Sequence, residues 1–424
     1  MNESFLRFIW RQGLFDQRNL CTTDGLPVRI LSPGISNPDA GPDFFDARIW
    51  IGETLWAGNV EIHKRSSDWK RHRHDRNAAY DNVILHVVAE NDRPVRNFRG
   101  QIVPALCLVY PEYLEANYLE LLHAEDWIAC EKQLHCLDRV DPGLWLHRLM
   151  VERLQGKTGE ILLRLKENKN DWNETFYQFL ARNFGFRANA LPFELTARNL
   201  PLRIAGRHRD KLFSMEALYF GTAGMLQQNP DCGDYASALY HEYTYLRRKY
   251  QLTAVPGHLW KFLRLRPLNF PSIRLAQFAA LIFCSDALFS RIIETGSLDR
   301  LRVCFRVKAS SYWDTHFRFD RLSPECSKST GRALVDSLIV NTVVPFLFVY
   351  GNVYHKEELK DRALQFLEQL PAESNVLIRH WKELGIQVDS AFESQALIQL
   401  KNRYCIPRRC PECFFGAKLI RLNR

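Results

Sequence analysis

Apolar and polar residues alternate along two neighbouring stretches near the start of the chain, as they do in half-buried β-strands. In the stretch from Asp43 to Ile51, the apolar positions of the predicted strand are Phe45, Ala47, Ile49 and Ile51. In the stretch from Leu55 to Lys64, one face carries Glu61 and His63, and the other carries Val60, Ile62 and Lys64. Asp43 lies at the mouth of the first strand, so pairing of the two strands would bring Asp43 and Glu61 together.

Other elements are predicted around these two strands. Apolar spacing and turn signals predict a helix and three strands, at Glu3–Phe15, Leu26–Leu31, Asn82–Ala89 and Val103–Tyr110. The strand over Asn82–Ala89 is apolar on both faces, which is typical of a central strand. Ser66-Ser67-Asp68 is a cap signal for a helix through Trp69 to Tyr80. Up to Ala89 the predicted order is therefore helix, three strands, helix, strand.

From about residue 125 the strand patterns nearly vanish and apolar residues recur at helical spacing. The predicted helices are Leu144–Lys166, Asn173–Phe184, Phe213–Gln228, Asp234–Tyr250 and Ile273–Thr295. Their breaks carry Pro, Gly or Asn. We therefore predict an α/β domain over residues 1–125 and a large, mainly α-helical domain over residues 126–424.

Composition and charge narrow the protein class. Lys and Arg number 57 against 48 Asp and Glu, a net charge of +9 that suits a polyanionic partner. The eleven cysteines are scattered, and no signal peptide pattern opens the chain, so a reducing cytoplasm is expected. The most apolar run, Leu338–Tyr350, is interrupted by Asn341 and Pro345, so no membrane span is expected.

Asp43 and Glu61 lie where a metal-dependent nuclease needs acidic residues. Pro42-Asp43 and Glu61-Ile62-His63 resemble the motif of the PD-(D/E)xK nuclease superfamily, and the predicted order of elements is similar to it. The resemblance implies a restriction-endonuclease-like core, a mixed sheet flanked by helices, whose two carboxylates bind Mg²⁺ or Mn²⁺. Taken alone, Asp43 would be an ordinary turn residue and Glu61 a solvated strand residue.

The third motif position departs from the superfamily, which usually carries a lysine where this chain has His63. Lys64 follows directly, but it is expected on the opposite strand face unless a β-bulge turns it. Histidine can hold a metal ion or a water molecule. The candidate catalytic residues are therefore Asp43, Glu61, His63 and Lys64.

Three further histidines lie close by in the sequence. His72 and His74 cannot share one face of a helix, because residues two apart do not face each other, so a paired-histidine metal clamp is not expected. His86, on an apolar strand, is expected to be a core histidine. Tyr80, one turn after Arg76, resembles the tyrosine of a Gln-x-x-x-Tyr pair in related nucleases, with Arg in place of Gln.

Two basic segments mix Lys and Arg with aromatic residues, as phosphate contacts and base stacking require. They are Lys64–Arg76 and Lys261–Arg274, and an ordinary solvated face would explain either one alone. The first segment follows Glu61, and its predicted nucleic-acid contacts are Arg65, Lys70, Arg71, Arg73, Arg76 and Tyr80. Neither a P-loop nor Gly-x-Gly-x-x-Gly occurs, which argues against an ATP motor or a nucleotide cofactor.

Three cysteines near the end of the chain, Cys405, Cys410 and Cys413, have the spacing C-x4-C-x2-C. This spacing predicts a Zn²⁺ or iron–sulfur site that lacks one ligand, although unligated thiols beside a helix are the plainer explanation. Cys130 is the first choice for the fourth ligand, before Cys136 and Cys21. A comparable layout occurs in iron–sulfur members of the nuclease superfamily that the first domain resembles.

Beyond the nuclease-like core, the chain resembles an uncharacterised bacterial family known only as a domain of unknown function. The segments that carry this resemblance are GPDFFDARI, GNVEIHKRSSDW, YDNVILHVV, RPLNFPSIRLAQFA and YCIPRRCPEC. The expected activity is metal-dependent phosphodiester cleavage of DNA. The alternatives are a non-catalytic nucleic-acid-binding or scaffold protein with the same fold, and an RNA-processing nuclease; protein partners stay open.

Overall fold

A six-stranded mixed sheet forms the centre of the first of two units in the structure, a computed structural model that describes residues 3–37, 39–137, 142–226, 233–319 and 321–423. The first unit combines Met1–Trp145 with Gln399–Arg424, and the second is Leu146–Ile398. The first unit thus extends past the predicted boundary at residue 125 and includes the C-terminal cysteines. The C-terminal residues belong to the first unit because they share its apolar core, in which Leu419 and Ile420 are buried together with residues of the first helix.

The sheet follows the strand order β1-β3-β4-β5-β6, with β2 paired to β3. Its strands are β1 (Val28–Ser32), β2 (Ile35–Ser36), β3 (Phe44–Ile51), β4 (Thr54–Arg65), β5 (Val83–Glu90) and β6 (Ala105–Cys107). Pairing is antiparallel from β1 through β3 to β4, and parallel from β4 through β5 to β6. The predicted strands are present, although β6 is much shorter than the predicted Val103–Tyr110.

A β-bulge near the start of β3 changes the predicted alternation. The pairing of β3 with β4 shifts register between Phe44 and Ala47, and Asp46 has a φ of 55°. Phe44 is consequently buried, whereas Phe45 is 37% exposed. Grouping Phe45 with the other apolar positions was therefore wrong, because one extra residue in a bulge reverses the phase of a strand.

The two faces of the sheet have different surroundings. One face joins a core with α1 (Glu3–Gln12), α3 (Glu112–His123) and α18 (Phe414–Arg421). Val60 and Ile62 of β4 belong to that core. Since side chains alternate along a strand, Glu61 and His63 face the other side. The buried cluster of Trp69, Tyr80, Val83, Val95 and Val103 is separate from that core.

The helix predicted from Trp69 to Tyr80 is broken into three short pieces. They are α2 (Asp68–Arg71) and two 3₁₀ turns, His74–Arg76 and Ala78–Tyr80. Arg73 lies between the first two pieces with a φ of 61°, in the left-handed region that cannot continue a helix. The break sets the positions of the histidines on either side of it.

The second unit is mainly helical, and its helices bury aromatic and aliphatic side chains in one large core. The helices from α4 onward are α4 (Gly143–Glu167), α5 (Trp172–Phe184), α6 (Phe186–Asn199), α7 (Leu202–Ala205), α8 (Leu212–Thr222), α9 (Gly233–Tyr250), α10 (Pro271–Cys284), α11 (Leu288–Glu294), α12 (Leu298–Cys304), α13 (Arg332–Leu338), α14 (Val344–Val353), α15 (Glu357–Gln369), α16 (Val376–Glu383) and α17 (Ala391–Leu400). A small hairpin pairs β7 (His316–Arg318) with β8 (Arg321–Leu322).

Two of the predicted helices of this unit differ from the structure. Ile273–Thr295 is divided into α10 and α11, which are bent by 74° at a break where Ala287 has a φ of 46°. Helix α8 ends at Thr222, and residues 227 and 228 of the predicted Phe213–Gln228 lie outside the described residues. Both predictions ran through turns that the apolar pattern does not reveal.

The segment Arg332–Val353 is long and apolar enough to cross a membrane, and it contains the run that the sequence analysis singled out. Its most apolar window is 67% buried inside the protein, as in the core helix of a soluble protein. A π-helical turn, Ile339–Val343, joins α13 to α14.

Candidate metal centre

Asp43 and Glu61 lie side by side and are held by each other's strand. The backbone N–H of Asp43 donates to Glu61 Oε2 at 3.0 Å, and the N–H of Ile62 donates to Asp43 Oδ2 at 3.0 Å. Both carboxylates are buried, with 6% and 4% exposure. Each therefore keeps one oxygen for other partners while the other oxygen is fixed by the backbone.

Arg7, from α1, is a functional candidate that the sequence analysis missed. Its Nη2 lies 2.8 Å from Asp43 Oδ1, and its Nε is buried without a hydrogen-bond partner among the described residues. Burial, and then the charge of Glu61, raise the pKa of Asp43 to about 7, although Arg7 acts in the opposite direction. A basic residue between Leu6 and Phe8, both buried, was the signal available in the sequence.

His63 occupies the middle of a chain of three imidazoles. Its Nδ1 lies 2.8 Å from His86 Nε2, and its Nε2 lies 3.1 Å from His72 Nδ1. His86 is fully buried, as expected of a core histidine, and its Nδ1 has no hydrogen-bond partner in the described part of the chain. Burial and the neighbouring histidines lower the pKa of His63 to about 2 and that of His86 to about 3. Both rings are therefore neutral, which is the form that binds metal ions.

His63, His72 and His74 come together although the sequence argued against a histidine clamp. One ring nitrogen from each lies within 4.8 Å of the other two. The expectation failed because it assumed a continuous helix, whereas the left-handed Arg73 turns the chain between His72 and His74. Among the described residues, no other group of histidine, cysteine or acidic side chains meets this spacing.

Glu61 adds a carboxylate to the three histidines. Its Oε1 lies 3.3 Å from His74 Nε2 and 3.6 Å from His63 Nε2. His74 is only 8% exposed, yet its Nε2 makes no hydrogen bond to any described residue, because the contact with Glu61 has the distance but not the orientation of one. A buried nitrogen without a proton partner, aimed at a carboxylate and two imidazoles, fits a metal ligand.

The three nitrogens and one carboxylate oxygen suit Mn²⁺, Zn²⁺ or Fe²⁺ better than Mg²⁺, which prefers oxygen ligands. The expected Mg²⁺ or Mn²⁺ site was placed on Asp43 and Glu61. In the structure, Asp43 is instead engaged by Arg7 and the Ile62 amide, so that Glu61 is the carboxylate left facing the histidines. We call Glu61, His63, His72 and His74 the histidine centre.

Two aromatic rings pack against the histidine centre. The ring of Tyr80 stacks on His74 with centroids 3.8 Å apart, and Trp69 packs edge-on against His63 and His74. Burial, and then the charges of Glu61 and Asp43, raise the pKa of Tyr80 to about 12. Tyr80 thus faces the histidines and not solvent, whereas His72 is exposed and forms the open side of the centre.

The predicted nucleic-acid contacts are exposed, apart from Tyr80. Arg65 pairs with Glu90, and Arg71 pairs with Asp68. The remaining cations are exposed as well, namely Lys70, Arg73 and Arg76. Lys64 is also exposed, and the regular pairing of β4 with β5 from Val60 to His63 leaves it on the face opposite Glu61 and His63.

The four cysteines that were predicted to share a metal lie in the same unit. Every pair among Cys130, Cys405, Cys410 and Cys413 is close enough for one thiolate to raise the pKa of the other thiol. Cys21 and Cys136, the second choices for the fourth ligand, are exposed. The structure therefore brings Cys130 to the C-terminal trio.

Comparison with known proteins gives a family but no activity. The family model described as "Protein of unknown function (DUF2851)" matches residues 3–376. That stretch contains the histidine centre and Cys130, and it ends before the three C-terminal cysteines. Neither the curated proteins nor the solved structures contain a match.

Proposed function

The chain belongs to the DUF2851 family, whose name implies no activity, and we propose from its site that it cleaves phosphodiester bonds of DNA with a divalent metal ion. The observation that carries the proposal is the approach of three histidine nitrogens to within 4.8 Å of one another, with Glu61 Oε1 facing two of them. Their position beside an exposed basic segment supports a phosphate-containing substrate.

The strand arrangement adds support for the nuclease-like part of the proposal. Asp43 and Glu61 lie at the start of β3 and within β4, in a mixed sheet preceded by a helix and followed by a parallel strand. This is the order of elements that the resemblance to the PD-(D/E)xK superfamily implies. His63 takes the place of the usual lysine and joins the metal ligands.

Each residue of the site has a role in this proposal. Glu61, His63, His72 and His74 would hold the ion, which would activate a water molecule and neutralise charge on the phosphate. With His63 bound to the ion through Nε2, its Nδ1–H would donate to His86 Nε2, which lies 2.8 Å away and would fix the orientation of the ring. Through its amide, Asp43 holds Glu61 Oε2, which leaves Oε1 to face the histidines.

The experiment uses the full-length protein, stripped with a chelator and reloaded with Mn²⁺, Zn²⁺ or Mg²⁺. Supercoiled plasmid, linear duplex, single-stranded DNA and structured RNA are the substrates. We expect Mn²⁺-dependent DNA cleavage by the parent and none by Glu61→Gln, because an amide binds a divalent cation far more weakly. Glu53→Gln, at an exposed turn, is the matched control and should cleave as the parent does.

Equal cleavage by Glu61→Gln and the parent would contradict the proposal. Cleavage of RNA alone would support the metal site but show that the substrate is RNA and not DNA. Metal binding at the histidine centre without cleavage of any substrate would contradict the proposed nuclease activity.

A second candidate is a non-catalytic nucleic-acid-binding protein, and two observations favour it. Lys64 points away from the site, and the Asp43 oxygens are taken by Arg7 and the Ile62 amide. If this candidate is right, the protein should bind DNA without cleaving it. Replacing Lys70 and Arg76 by Ala should then lower the slope of log affinity against log salt by about 0.9 for each lost phosphate contact, whereas Arg29→Ala on β1 should not.

A further inference from the structure

Two distant segments of the chain are bound together around the four cysteines. Lys401 Nζ donates to the carbonyl of Trp127, and Arg408 Nη2 donates to the carbonyl of Ala124, so the C-terminal segment is fixed to the stretch that precedes Cys130. Cys410 is buried in the apolar core of the sheet, and Cys130 packs against the same core. The approach of the thiols thus rests on hydrogen bonds and packing that they do not themselves make.

The loop from Cys410 to Cys413 has the form of a metal-binding turn. The N–H of Cys413 donates to the Cys410 carbonyl at 3.1 Å, and Cys413 is the N-cap of α18. Burial raises the pKa of the Cys413 thiol, and the nearby amides of Phe415 and Gly416 act in the opposite direction. Gly416 is needed for this approach, because a Cβ at that position would lie 2.3 Å from the Cys410 carbonyl oxygen.

Two cations lie near the cysteine group. Burial raises the pKa of Cys130 to about 12 and that of Cys413 to about 11, and each thiol raises the pKa of its neighbours further. Lys401 acts on Cys405 and Arg408 acts on Cys410, and these cations would offset the negative charge that remains on a four-thiolate centre.

The spacing of the sulfurs distinguishes between metals. A tetrahedral zinc ion with Zn–S bonds near 2.3 Å holds its sulfurs about 3.8 Å apart. In the described part of the chain, no three cysteine sulfurs all lie within 4.8 Å of one another, so at least one distance in any trio exceeds that of a zinc site. A cluster of several irons separates its cysteine ligands further than one ion does, and C-x4-C-x2-C with a distant fourth cysteine is a known iron–sulfur spacing.

We propose that Cys130, Cys405, Cys410 and Cys413 bind one iron–sulfur cluster, which fixes the C-terminal segment to the sheet unit. The cluster lies in the core that Val60 and Ile62 share, whereas Glu61 and His63 point to the other face of β4. Its role is therefore structural, and it is independent of the proposed nuclease activity.

The test begins with the parent protein, purified without oxygen. We expect iron and acid-labile sulfide in equal amounts at two or four per chain, and visible absorbance that dithionite bleaches. One zinc per chain in a colourless protein would overturn the cluster assignment, and the absence of both metals would overturn the site. This measurement does not depend on how any variant folds.

Variants then test the ligands. Cys410→Ser and Cys130→Ser should each lose the iron and the absorbance, whereas Cys136→Ser and Cys304→Ser should keep both, since these cysteines lie outside the group. Iron retained in full by Cys130→Ser would overturn the assignment of the fourth ligand. Unchanged Mn²⁺ binding at the histidine centre of folded Cys410→Ser is the expected sign of a separate role, and its loss would overturn the independence of the two sites.

Discussion

His86 Nε2 lies 2.8 Å from His63 Nδ1 and leaves His63 Nε2 as the nitrogen that faces the metal-binding group. A histidine ligand whose second nitrogen is held in this way has a fixed tautomer and ring orientation. The pair therefore links a fully buried residue of β5 to the properties of the proposed metal centre on β4.

Removing this partner should weaken metal binding without removing a ligand. We expect His86→Leu to lower the Mn²⁺ affinity about 10- to 100-fold, the usual effect of losing a hydrogen bond behind a metal ligand. His86→Gln keeps an acceptor for the His63 proton and should lose less. Calorimetric titration of the stripped proteins measures both affinities, and equal affinity for His86→Leu and the parent would assign His86 to packing alone.

The metal-free protein should lose stability as the pH falls from about 6.5 to about 4. In this range the unfolded chain binds protons at His63 and His86 that the folded protein does not, because burial lowers the pKa of these residues to about 2 and about 3. Asp43 acts in the opposite direction, since its pKa of about 7 lets the folded protein keep a proton that the unfolded chain has lost. The net difference is about one proton, or about 1.4 kcal/mol of unfolding free energy per pH unit.

Two variants separate these opposing contributions. Asp43→Asn removes the opposing proton and should steepen the pH dependence relative to the parent by about 1.4 kcal/mol per pH unit, and His86→Gln should flatten it by a similar amount. Urea unfolding at pH 4.5, 5.5 and 6.5 in the presence of a chelator measures the slopes. Parallel slopes for all three proteins would show that these groups titrate alike in the folded and unfolded states.

Gly416 offers a mutation with a matched control in a helix of the same chain. In Gly416→Ala the added Cβ would lie 2.3 Å from the Cys410 carbonyl oxygen, so the turn must move away from α18. We expect a destabilisation of about 1–3 kcal/mol, as for an overpacked core, and loss of the proposed iron–sulfur cluster. Gly159→Ala meets no atom within 4 Å inside α4 and should stabilise the protein by about 0.5–1 kcal/mol.

Melting curves and iron content measure both changes. A melting temperature for Gly416→Ala at or above that of Gly159→Ala would show that the turn adapts without cost.

The sequence predicted the strands well because their signals are local. Alternation located β3 and β4 to within a residue or two, and it placed Glu61 and His63 on one face. The bulge at Asp46 was not predictable, because it arises from pairing with a partner strand. Because of this bulge, Phe44 is buried in place of Phe45, which the alternation had predicted to be buried.

The histidine centre was only partly predictable for a similar reason. Glu61 and His63 follow from a motif, but His72 and His74 depend on the left-handed conformation of Arg73, which no local propensity favours. Arg7 is separated from Asp43 by two strands and a turn, and only the packing of α1 brings them together. Cys130 was predicted as the fourth ligand because the trio lacked one, which is a chemical argument and not a pattern.

The discontinuous first unit has a consequence for synthesis on the ribosome. The chain emerges from its N terminus, so the helical unit, Leu146–Ile398, can complete its own core while the last residues are still being added. The sheet must wait, because Leu419 and Ile420 of α18 are the side chains that complete its apolar face. Limited proteolysis of chains stalled before and after residue 399 would reveal this order. The part of the protein that is made first would be the last to mature, which would delay the proposed metal-dependent cleavage until α18 has been made.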